Sequence, residues 1–289
     1  MKKRLSILLV LLLVLLCCGC TNTESNSTFS ITFIDVGQGD SALIECDGQI
    51  MLIDAGEKQY GEKVGQILKD HVGSRRKLDF LVISHPHSDH IGGLVEALNS
   101  VSSIGATLSN TDYYDSEVFR QVEHQLGTLG SRIKVPDVGD QYKLGSATID
   151  VIDVASNDPN DSLVIMITYG KNKFLFTGDI EYAAQKRIVE KYRNDEDKEY
   201  KIDLMKMPHH GSSGESNEHD SDLYSFVRTF MPDYAIISCG AGNIYGHPHQ
   251  RTLDILNNKA YSAKIYRTDL NGDITVKSNG KEISVQTTK

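Results

Sequence analysis

The sequence has few cysteines, and this excludes a disulfide-stabilised scaffold. Three of the five cysteines lie at positions 17, 18 and 20, and only Cys46 and Cys239 occur beyond them. Two cysteines can form at most one disulfide. Both lie in or beside apolar runs, so we expect buried free thiols.

The sequence also lacks the long apolar spans of a transport channel. Its most apolar segment, residues 5–16, has 12 residues, whereas a membrane-spanning helix needs about 20. This segment follows a basic start and precedes a polar stretch, which is typical of a signal peptide. The small residue before Cys20 resembles a bacterial lipoprotein cleavage site, with Cys18 as a second choice. The alternative is an ordinary signal peptide without lipidation.

These features predict three segments. Residues 1–19 are predicted to form a lipoprotein signal peptide, residues 20–29 a tether, and residues 30–289 a single domain. Lipidation of Cys20 would anchor the protein to the cell membrane on its extracytoplasmic side. No protein partner can be inferred.

A long run of basic residues is absent as well. Lys2, Lys3 and Arg4 are three of the 30 basic side chains, so 27 remain against 39 acidic ones, a formal charge of −12. A protein that binds duplex DNA through many phosphates usually has a basic surface. The charge therefore argues against a broad duplex-binding surface, although bound metal would add positive charge locally.

Short apolar runs alternate with helical patterns along the chain, without an internal repeat. This mixture predicts an α/β fold in which helices cover sheets. We predict strands at residues 30–36, 42–46, 50–53, 80–84, 148–154, 163–169, 173–176, 204–207, 234–238, 264–267 and 273–276. We predict helices at residues 61–71, 91–100, 116–126, 180–192, 220–230 and 250–257.

The most informative segment is ISHPHSDHIGG, residues 83–93. It places His85, His87, Asp89 and His90 on a turn between a predicted strand and a predicted helix. Imidazole and carboxylate groups are ligands for zinc, manganese and iron. So many ligands in one turn predict a metal site.

Other histidines also follow predicted strands. His209 and His210 lie in MKMPHHGSS, and His247 and His249 lie in NIYGHPHQ, so seven of the ten histidines occupy three such loops. Strand ends that meet at one edge are where α/β proteins place their sites. We expect the isolated histidines 71, 124 and 219 to be surface residues.

Two aspartates are further candidates. Asp179 follows the strand pattern in KFLFTGDI, where an aspartate is either a helix N-cap or a carboxylate that bridges two ions. Asp161 lies in Asn160-Asp161-Ser162, which is either a turn or a source of one ligand.

Together these motifs resemble the metallo-β-lactamase superfamily, and in particular the hydrolase domain of ComEC-type competence proteins. The similar segments are FIDVGQGDS, SHPHSDHIGG, NDPNDSLV, FTGD, MPHHGS and YGHP, which occur in this order between residues 33 and 248. The resemblance implies a four-layer αββα sandwich with the metals at the sheet edge.

The resemblance also implies roles for individual residues. His85 and His87 would bind a first divalent metal ion, Asp89 and His90 a second, and Asp179 would bridge the two. His210 would complete the second site, while His209 would face the substrate, and these two roles can be exchanged. His247 would lie near the substrate oxygens. We predict Asp89, His209 and His247 as catalytic residues.

One departure concerns the first metal. Many members of the superfamily supply a further histidine there, whereas this chain has Asn160-Asp161-Ser162 in that region. Either Asn160 or Asp161 fills the position, or the site is more open. Oxygen ligands would favour Mn²⁺ or Fe over Zn²⁺. Asp54, in LIDAG, is expected to orient ligand loops, and the Gly37–Gly39 region to form a tight loop beside the metals rather than a phosphate cradle.

The expected reaction is metal-assisted hydrolysis. The favoured function is a phosphodiesterase that acts on single-stranded DNA or another phosphodiester, such as a choline-phosphate ester. The alternatives are a β-lactamase or other amide or ester hydrolase, and a noncatalytic metal-binding lipoprotein.

Overall fold

The structure is a computed structural model that describes residues 28–154, 161–193, 200–214, 220–259 and 262–289. The predicted signal peptide, the lipidation site Cys20, Asn160 and His219 lie outside the described residues. Among the described helices, none combines the length and the apolar character of a membrane span.

The described residues form fifteen strands. In chain order they are β1 (Phe29–Phe33), β2 (Ala42–Cys46), β3 (Gln49–Ile53), β4 (Lys77–Ile83), β5 (Ser103–Ser109), β6 (Ile133–Lys134), β7 (Gln141–Leu144), β8 (Ala147–Asp153), β9 (Val164–Tyr169), β10 (Asn172–Phe176), β11 (Leu204–Lys206), β12 (Tyr234–Ile237), β13 (Lys264–Arg267), β14 (Ile274–Ser278) and β15 (Ile283–Thr287).

The α-helices of the same residues vary from one turn to three. They are α1 (Gly61–Val72), α2 (Ser88–Ile91), α3 (Leu94–Ala97), α4 (Glu117–Thr128), α5 (Tyr182–Arg193), α6 (Asp220–Phe230), α7 (Gln250–Leu256) and α8 (Thr268–Asn271). Short 3-10 helices occupy Lys58–Tyr60, Gly73–Arg75, Leu98–Ser100 and Pro208–Gly211.

The strands form two sheets. The first has the order β15-β14-β1-β2-β3-β4-β5-β6, and the second has the order β13-β12-β11-β10-β9-β8-β7. Each sheet combines an antiparallel half with a parallel half, which comprises β3 to β6 in the first sheet and β10 to β13 in the second. Loops that follow parallel strands leave the sheet at one edge, where ligands usually bind.

Three apolar clusters define four layers. The central cluster lies between the sheets and takes alternate residues of their strands, such as Ile31 and Phe33 from β1 and Ile165 and Ile167 from β9. The other two pack helices on the outer faces: α1 and α4 cover the first sheet, and α5, α6 and α7 cover the second. The predicted αββα sandwich is therefore confirmed.

The sequence prediction missed four strands, namely β5, β6, β7 and β15. β6 has only two residues, and β15 is an edge strand without a fully buried residue. β5 contains Gly105, whose missing side chain leaves room for the carbonyl oxygen of Asp79 on β4, 2.5 Å from where a Cβ atom would lie. These segments lack the apolar alternation on which the prediction depended.

The predicted helix at residues 91–100 is divided into α2, α3 and the 3-10 turn that follows. The break falls at Gly92 and Gly93, where added Cβ atoms would lie 2.4 Å from the Ser88 and Ala55 carbonyl oxygens, respectively. Because these glycines have no side chains, the ligand turn lies directly against the loop after β3.

Candidate metal centre

The predicted ligands converge at one edge of the two sheets. Asp54 follows β3, and the segment from His85 to His90 follows β4 in the first sheet. Asp179 follows β10, and His210 follows β11 in the second sheet. Since the sheets face each other, the two sets of loops meet over the central apolar cluster.

Four side chains form a compact cluster: Asp89, His90, Asp179 and His210, whose ligand atoms all lie within 4.8 Å of one another. The Asp179 Oδ2 atom is 3.2 Å from His90 Nε2 and 3.3 Å from His210 Nε2. The Asp89 Oδ2 atom is 3.2 Å from His210 Nε2. Except for Asp89, all of these side chains are buried.

His85 and His87 lie beside this cluster. The His85 Nε2 atom is 3.0 Å from His87 Nδ1 and 4.0 Å from Asp179 Oδ2. The ring of His85 is buried, and its centroid is 4.0 Å from that of His90. Asp179 therefore contacts both groups of histidines, as a bridging carboxylate would.

His90 and His210 each form a hydrogen bond through Nδ1, the ring nitrogen that faces away from the carboxylates, as metal-binding histidines usually do. His210 Nδ1 donates to the Ser238 carbonyl oxygen at 3.0 Å, and His90 Nδ1 donates to Asp54 Oδ2 at 2.9 Å. With Nδ1 engaged in this way, each ring turns its Nε2 atom toward the carboxylates, and this is the atom that would face a cation. In the described residues, His90 Nε2 and Asp179 Oδ1 are buried and have no hydrogen-bond partner. A divalent cation would satisfy all of these atoms, so the residues fit a metal.

The pKa shifts of the cluster have the same physical origin. Burial alone would lower the pKa of His90 and His210, but the charge of Asp179 outweighs it and raises both well above the usual value. Conversely, burial would raise the pKa of Asp179, but His210 and His90 hold it well below its usual range. The carboxylates thus stabilise positive charge at this point, which is what a cation site requires.

Asp54 and Ser84 orient the ligand turn. Asp54 accepts hydrogen bonds from the Ser84 backbone N–H at 2.8 Å and from the Ser84 hydroxyl at 2.6 Å, in addition to the bond from His90. Asp54 has a left-handed backbone, with φ of 55°. Such backbone strain is frequent at functional sites. The expected orienting role of Asp54 agrees with these contacts.

The loop between β1 and β2 also borders the cluster. Gly39 lies so close to the ligand turn that an added Cβ would be 2.3 Å from the Asp89 carbonyl oxygen. Next to it, Asp40 Oδ2 contacts Lys206 Nζ at 2.6 Å, and Asp40 Oδ1 lies 3.4 Å from His210 Nδ1. Both side chains of this ion pair are buried. The loop is therefore tight and packs beside His210.

His209 and His247 lie further out. The His209 Nδ1 atom is 2.8 Å from Glu181 Oε1, and its Nε2 atom is 3.9 Å from Asp179 Oδ2. The His247 ring centroid is 5.5 Å from that of His209, and its Nδ1 atom lies 3.4 Å from the amide of Gln38. Both rings are placed where a substrate at the cluster would meet them.

The environments of these two histidines differ. Burial lowers the pKa of His247 to about 4, assisted by the charge of His209. Burial also acts to lower the pKa of His209, but the contact with Glu181 outweighs it and raises this pKa. His209 is consequently the better proton donor of the pair at neutral pH.

Asp161 lies at the same edge, but its carboxylate contacts other groups. One oxygen accepts from the Ser162 backbone N–H at 3.0 Å, and the other lies 3.3 Å from Arg187 Nη2. Asp161 shares a cavity of about 380 Å³ with His87, Asp179 and His209. Its role as a ligand stays a prediction. The neighbouring Ser162 hydroxyl contacts His85 Nδ1 at 3.3 Å and accepts from the Asp179 N–H.

The remaining sequence expectations concern residues away from the site. His71 and His124 are exposed, as expected. Cys46 and Cys239 are buried free thiols, which confirms the interpretation that excluded a disulfide framework.

A comparison with known families agrees with the geometry. The sequence profile of the metallo-beta-lactamase superfamily matches residues 34–223. The chain belongs to this superfamily. Its described architecture, with two sheets, outer helices and a ligand cluster at the sheet edge, is the fold of that superfamily.

Curated relatives within the superfamily include competence proteins. The chain is 29% identical to ComE operon protein 3 of Bacillus subtilis over an alignment of 269 residues, which covers 86% of this chain and 33% of the relative. It is 26% identical to Competence protein ComA of Neisseria gonorrhoeae over 243 residues, 84% of this chain and 31% of the relative. The chain thus spans about a third of the length of these relatives.

A solved structure shows the same fold. The metallo-beta-lactamase fold protein YhfI of Bacillus subtilis superposes with a TM-score of 0.55 and 12% identity, and the match covers 87% of this chain and all of that protein.

Sequence reasoning missed several residues of this superfamily site, namely Ser84, Glu181 and Lys206. Lys206 carried a signal, since it is a lone charged residue in the apolar strand β11. Glu181 carried none, because its contact with His209 joins loops that are adjacent only in the folded chain.

Proposed function

We propose that the protein is a metal-dependent phosphodiesterase with two divalent metal ions, acting on single-stranded DNA or another phosphodiester. The observation that carries this proposal is the compact, mostly buried cluster of Asp89, His90, Asp179 and His210, with His85 and His87 beside it. The names of the competence-protein relatives favour a nucleic-acid diester over other diesters.

The chain's own residues would divide the metal ligands between two ions. His85, His87 and Asp179 would hold one ion, and Asp89, His90, Asp179 and His210 the other. When bound, a pair of divalent cations lowers the pKa of a shared water to about 7 and stabilises negative charge on the reacting oxygens. Zinc or manganese would suit the mixed nitrogen and oxygen ligands, and iron is an alternative.

Around this centre, protein side chains would direct the substrate and its protons. Asp54 and Asp40 hold His90 and His210 in place through the contacts described above. His209, with Glu181 as its partner, would protonate the leaving oxygen. His247 would contact a substrate oxygen from the adjacent loop, since its ring lies beside that of His209.

The decisive experiment combines metal analysis with a substrate panel. Purified protein that begins at residue 20 is loaded with zinc, manganese or iron and assayed with a diester chromogen, single-stranded DNA, a choline-phosphate ester and a cephalosporin. We expect bound metal and hydrolysis of the diesters, with little cephalosporin cleavage. Cephalosporin as the best substrate would overturn the phosphodiesterase assignment, and metal binding without any turnover would support a noncatalytic role.

Two substitutions test the site directly. His87→Ala and Asp179→Ala each remove a ligand, so we expect turnover to fall to background while circular dichroism shows a retained fold. His124→Ala, which alters an exposed histidine on α4, is the matched control and should keep full activity. Full turnover in the Asp179→Ala variant would contradict the site.

We further propose that the protein acts outside the cytoplasmic membrane, anchored through lipidated Cys20. The segment before Cys20 supports this, because its apolar run of 12 residues is typical of a cleaved signal peptide and is too short for a membrane-spanning helix. Cys20→Ser should release the protein from the membrane fraction and abolish incorporation of a radiolabelled fatty acid. Retention of the label in this variant would refute the anchor at Cys20.

A further inference from the structure

Two exposed aromatic side chains lie beside the ligand cluster. In the part of the chain that the structure describes, six large hydrophobic side chains are exposed. Two of them border the cluster, Tyr182 through the cavity that it shares with Asp179 and Tyr245 through its stacking on His247, and we call these two tyrosines the rim residues. Because exposed apolar groups that cluster at one place commonly mark a binding surface, the rim residues point to a ligand that offers flat apolar faces.

Tyr182 lies on one side of the cluster. It begins helix α5, and it lines the cavity of about 380 Å³ together with His87, Asp179 and His209. The Lys186 Nζ atom lies 5.9 Å from the centroid of its ring. A group stacked on Tyr182 would therefore have both a metal ligand and a positive charge nearby.

Tyr245 approaches the cluster through a different loop. Its ring stacks on that of His247 at a centroid distance of 5.7 Å and an interplanar angle of 24°. The side chain is nevertheless 61% exposed, so part of its surface remains accessible. His247 in turn contacts His209, which also lines the cavity beside Tyr182.

We propose that Tyr182 and Tyr245 are stacking positions for the bases of single-stranded nucleic acid that crosses the metal cluster. The inference rests on the proposed phosphodiesterase function and names the residues that would select its substrate. Aromatic side chains bind single strands without sequence preference because every base has a flat face, and each stacked base contributes strongly to affinity.

The geometry favours bases over a choline group. A quaternary ammonium ion is bound by aromatic rings that surround it. Tyr182 and Tyr245 belong to separate loops, and Tyr245 offers an open surface rather than a wall of an enclosed cage. The acidic overall charge also makes stacking more important here, since the 39 acidic side chains outnumber the 30 basic ones that could hold the phosphates.

The test compares two ligands that share a phosphate backbone. One is a fluorescent oligothymidylate, and the other is an abasic oligomer of the same length. Binding is measured by fluorescence anisotropy in the inactive His87→Ala background, loaded with metal, so that the oligomer is not cleaved. KM is measured in the otherwise wild-type protein as a second readout, which is independent of whether His87→Ala folds. Tyr182→Leu and Tyr245→Leu are compared with Val138→Ala, which alters an exposed residue outside the rim.

We expect tighter binding of oligothymidylate than of the abasic oligomer. Each leucine variant should weaken oligothymidylate binding about five-fold or more, and neither should change binding of the abasic oligomer. Val138→Ala should change neither. Equal binding of the two oligomers, unchanged affinity in both leucine variants, or displacement of the oligomer by millimolar choline would overturn the proposal.

The same assay separates the stacking proposal from the proposed phosphodiesterase function on which it rests. If the wild-type protein hydrolyses both oligomers but the leucine variants bind normally, the phosphodiesterase function stands and the stacking positions are wrong. If neither oligomer is hydrolysed, the phosphodiesterase function fails, and the anisotropy values still decide whether the tyrosines bind bases.

Discussion

At the scale of single residues, the most informative contacts are those that surround the ligands rather than the ligands themselves. Lys206 and Asp40 form a buried ion pair next to His210, and Glu181 contacts the Nδ1 atom of His209. In each pair the negative group stabilises the positive charge of its partner, and each pair can be tested by replacing one partner.

Replacing Lys206 should destabilise the fold. Lys206→Met leaves the buried Asp40 carboxylate without its partner, which typically costs about 3–5 kcal/mol. Urea unfolding in the presence of a chelator measures the free energy of unfolding without a contribution from metal. The double variant Asp40→Asn/Lys206→Met should recover part of the loss. A single variant as stable as the wild-type protein would show that the pair does not matter for stability.

Glu181 should matter for turnover rather than for folding. Glu181→Gln removes the negative charge beside His209, so we expect kcat to fall about ten-fold for a diester with an alkoxide leaving group. A nitrophenyl diester should be affected much less, because nitrophenolate leaves without a proton. Glu190→Gln, an exposed glutamate on helix α5, is the control. An equal loss with both leaving groups would argue against proton donation by His209.

At the scale of elements, glycines decide how closely helices approach their neighbours. Gly127 in α4 has open space where a Cβ would be added, whereas a Cβ on Gly61, at the start of α1, would lie 2.7 Å from the Gly93 carbonyl oxygen. The two positions therefore respond differently to the same substitution.

Alanine should stabilise one helix and destabilise the other. Gly127→Ala reduces the flexibility of the unfolded chain, and we expect the free energy of unfolding to rise by about 0.5–1 kcal/mol. Gly61→Ala forces the ligand turn away from α1, and overpacking of this kind costs about 1–3 kcal/mol. Urea titration of both variants checks the signs. A stabilised Gly61→Ala protein would contradict the close packing of α1 against the turn after Gly92.

At the scale of the whole molecule, the metal centre connects the two sheets. Asp89 and His90 come from the first sheet, and Asp179 and His210 come from the second. A bound metal ion would therefore join loops that are otherwise attached to separate sheets, and it would compensate the carboxylates gathered at this edge.

Metal should consequently stabilise the entire fold. At a free metal concentration 100 times the Kd, the free energy of unfolding should rise by about 2.7 kcal/mol, which scanning calorimetry detects as a higher Tm. Excess chelator should reverse the effect, and Asp179→Asn should largely abolish it while His124→Ala preserves it. Identical unfolding with and without Zn²⁺ or Mn²⁺ would mean that the cluster does not bind these ions.

Much of this architecture could be predicted from the chain because its signals are local. The apolar runs of strands such as β2, β9 and β10 mark buried strands, and the spacing of His85, His87, Asp89 and His90 identifies a ligand turn. The family motifs then imply which strands carry the other ligands. The short or edge strands β6, β7 and β15 lack such patterns, because few of their residues are buried.

The sequence by itself determined an α/β fold with helices over sheets, the main ligand turn and the absence of a disulfide framework, since each depends on residues that are neighbours along the chain. The four-layer αββα arrangement was implied by the resemblance to the superfamily. The tertiary structure placed Asp89, His90, Asp179 and His210 in one cluster, as the family motifs implied, and it alone showed that Lys206 pairs with Asp40 next to His210 and that Tyr182 and Tyr245 border the cluster. These contacts join residues separated by many positions in sequence, and only the packing of one sheet against the other brings them within a few ångströms.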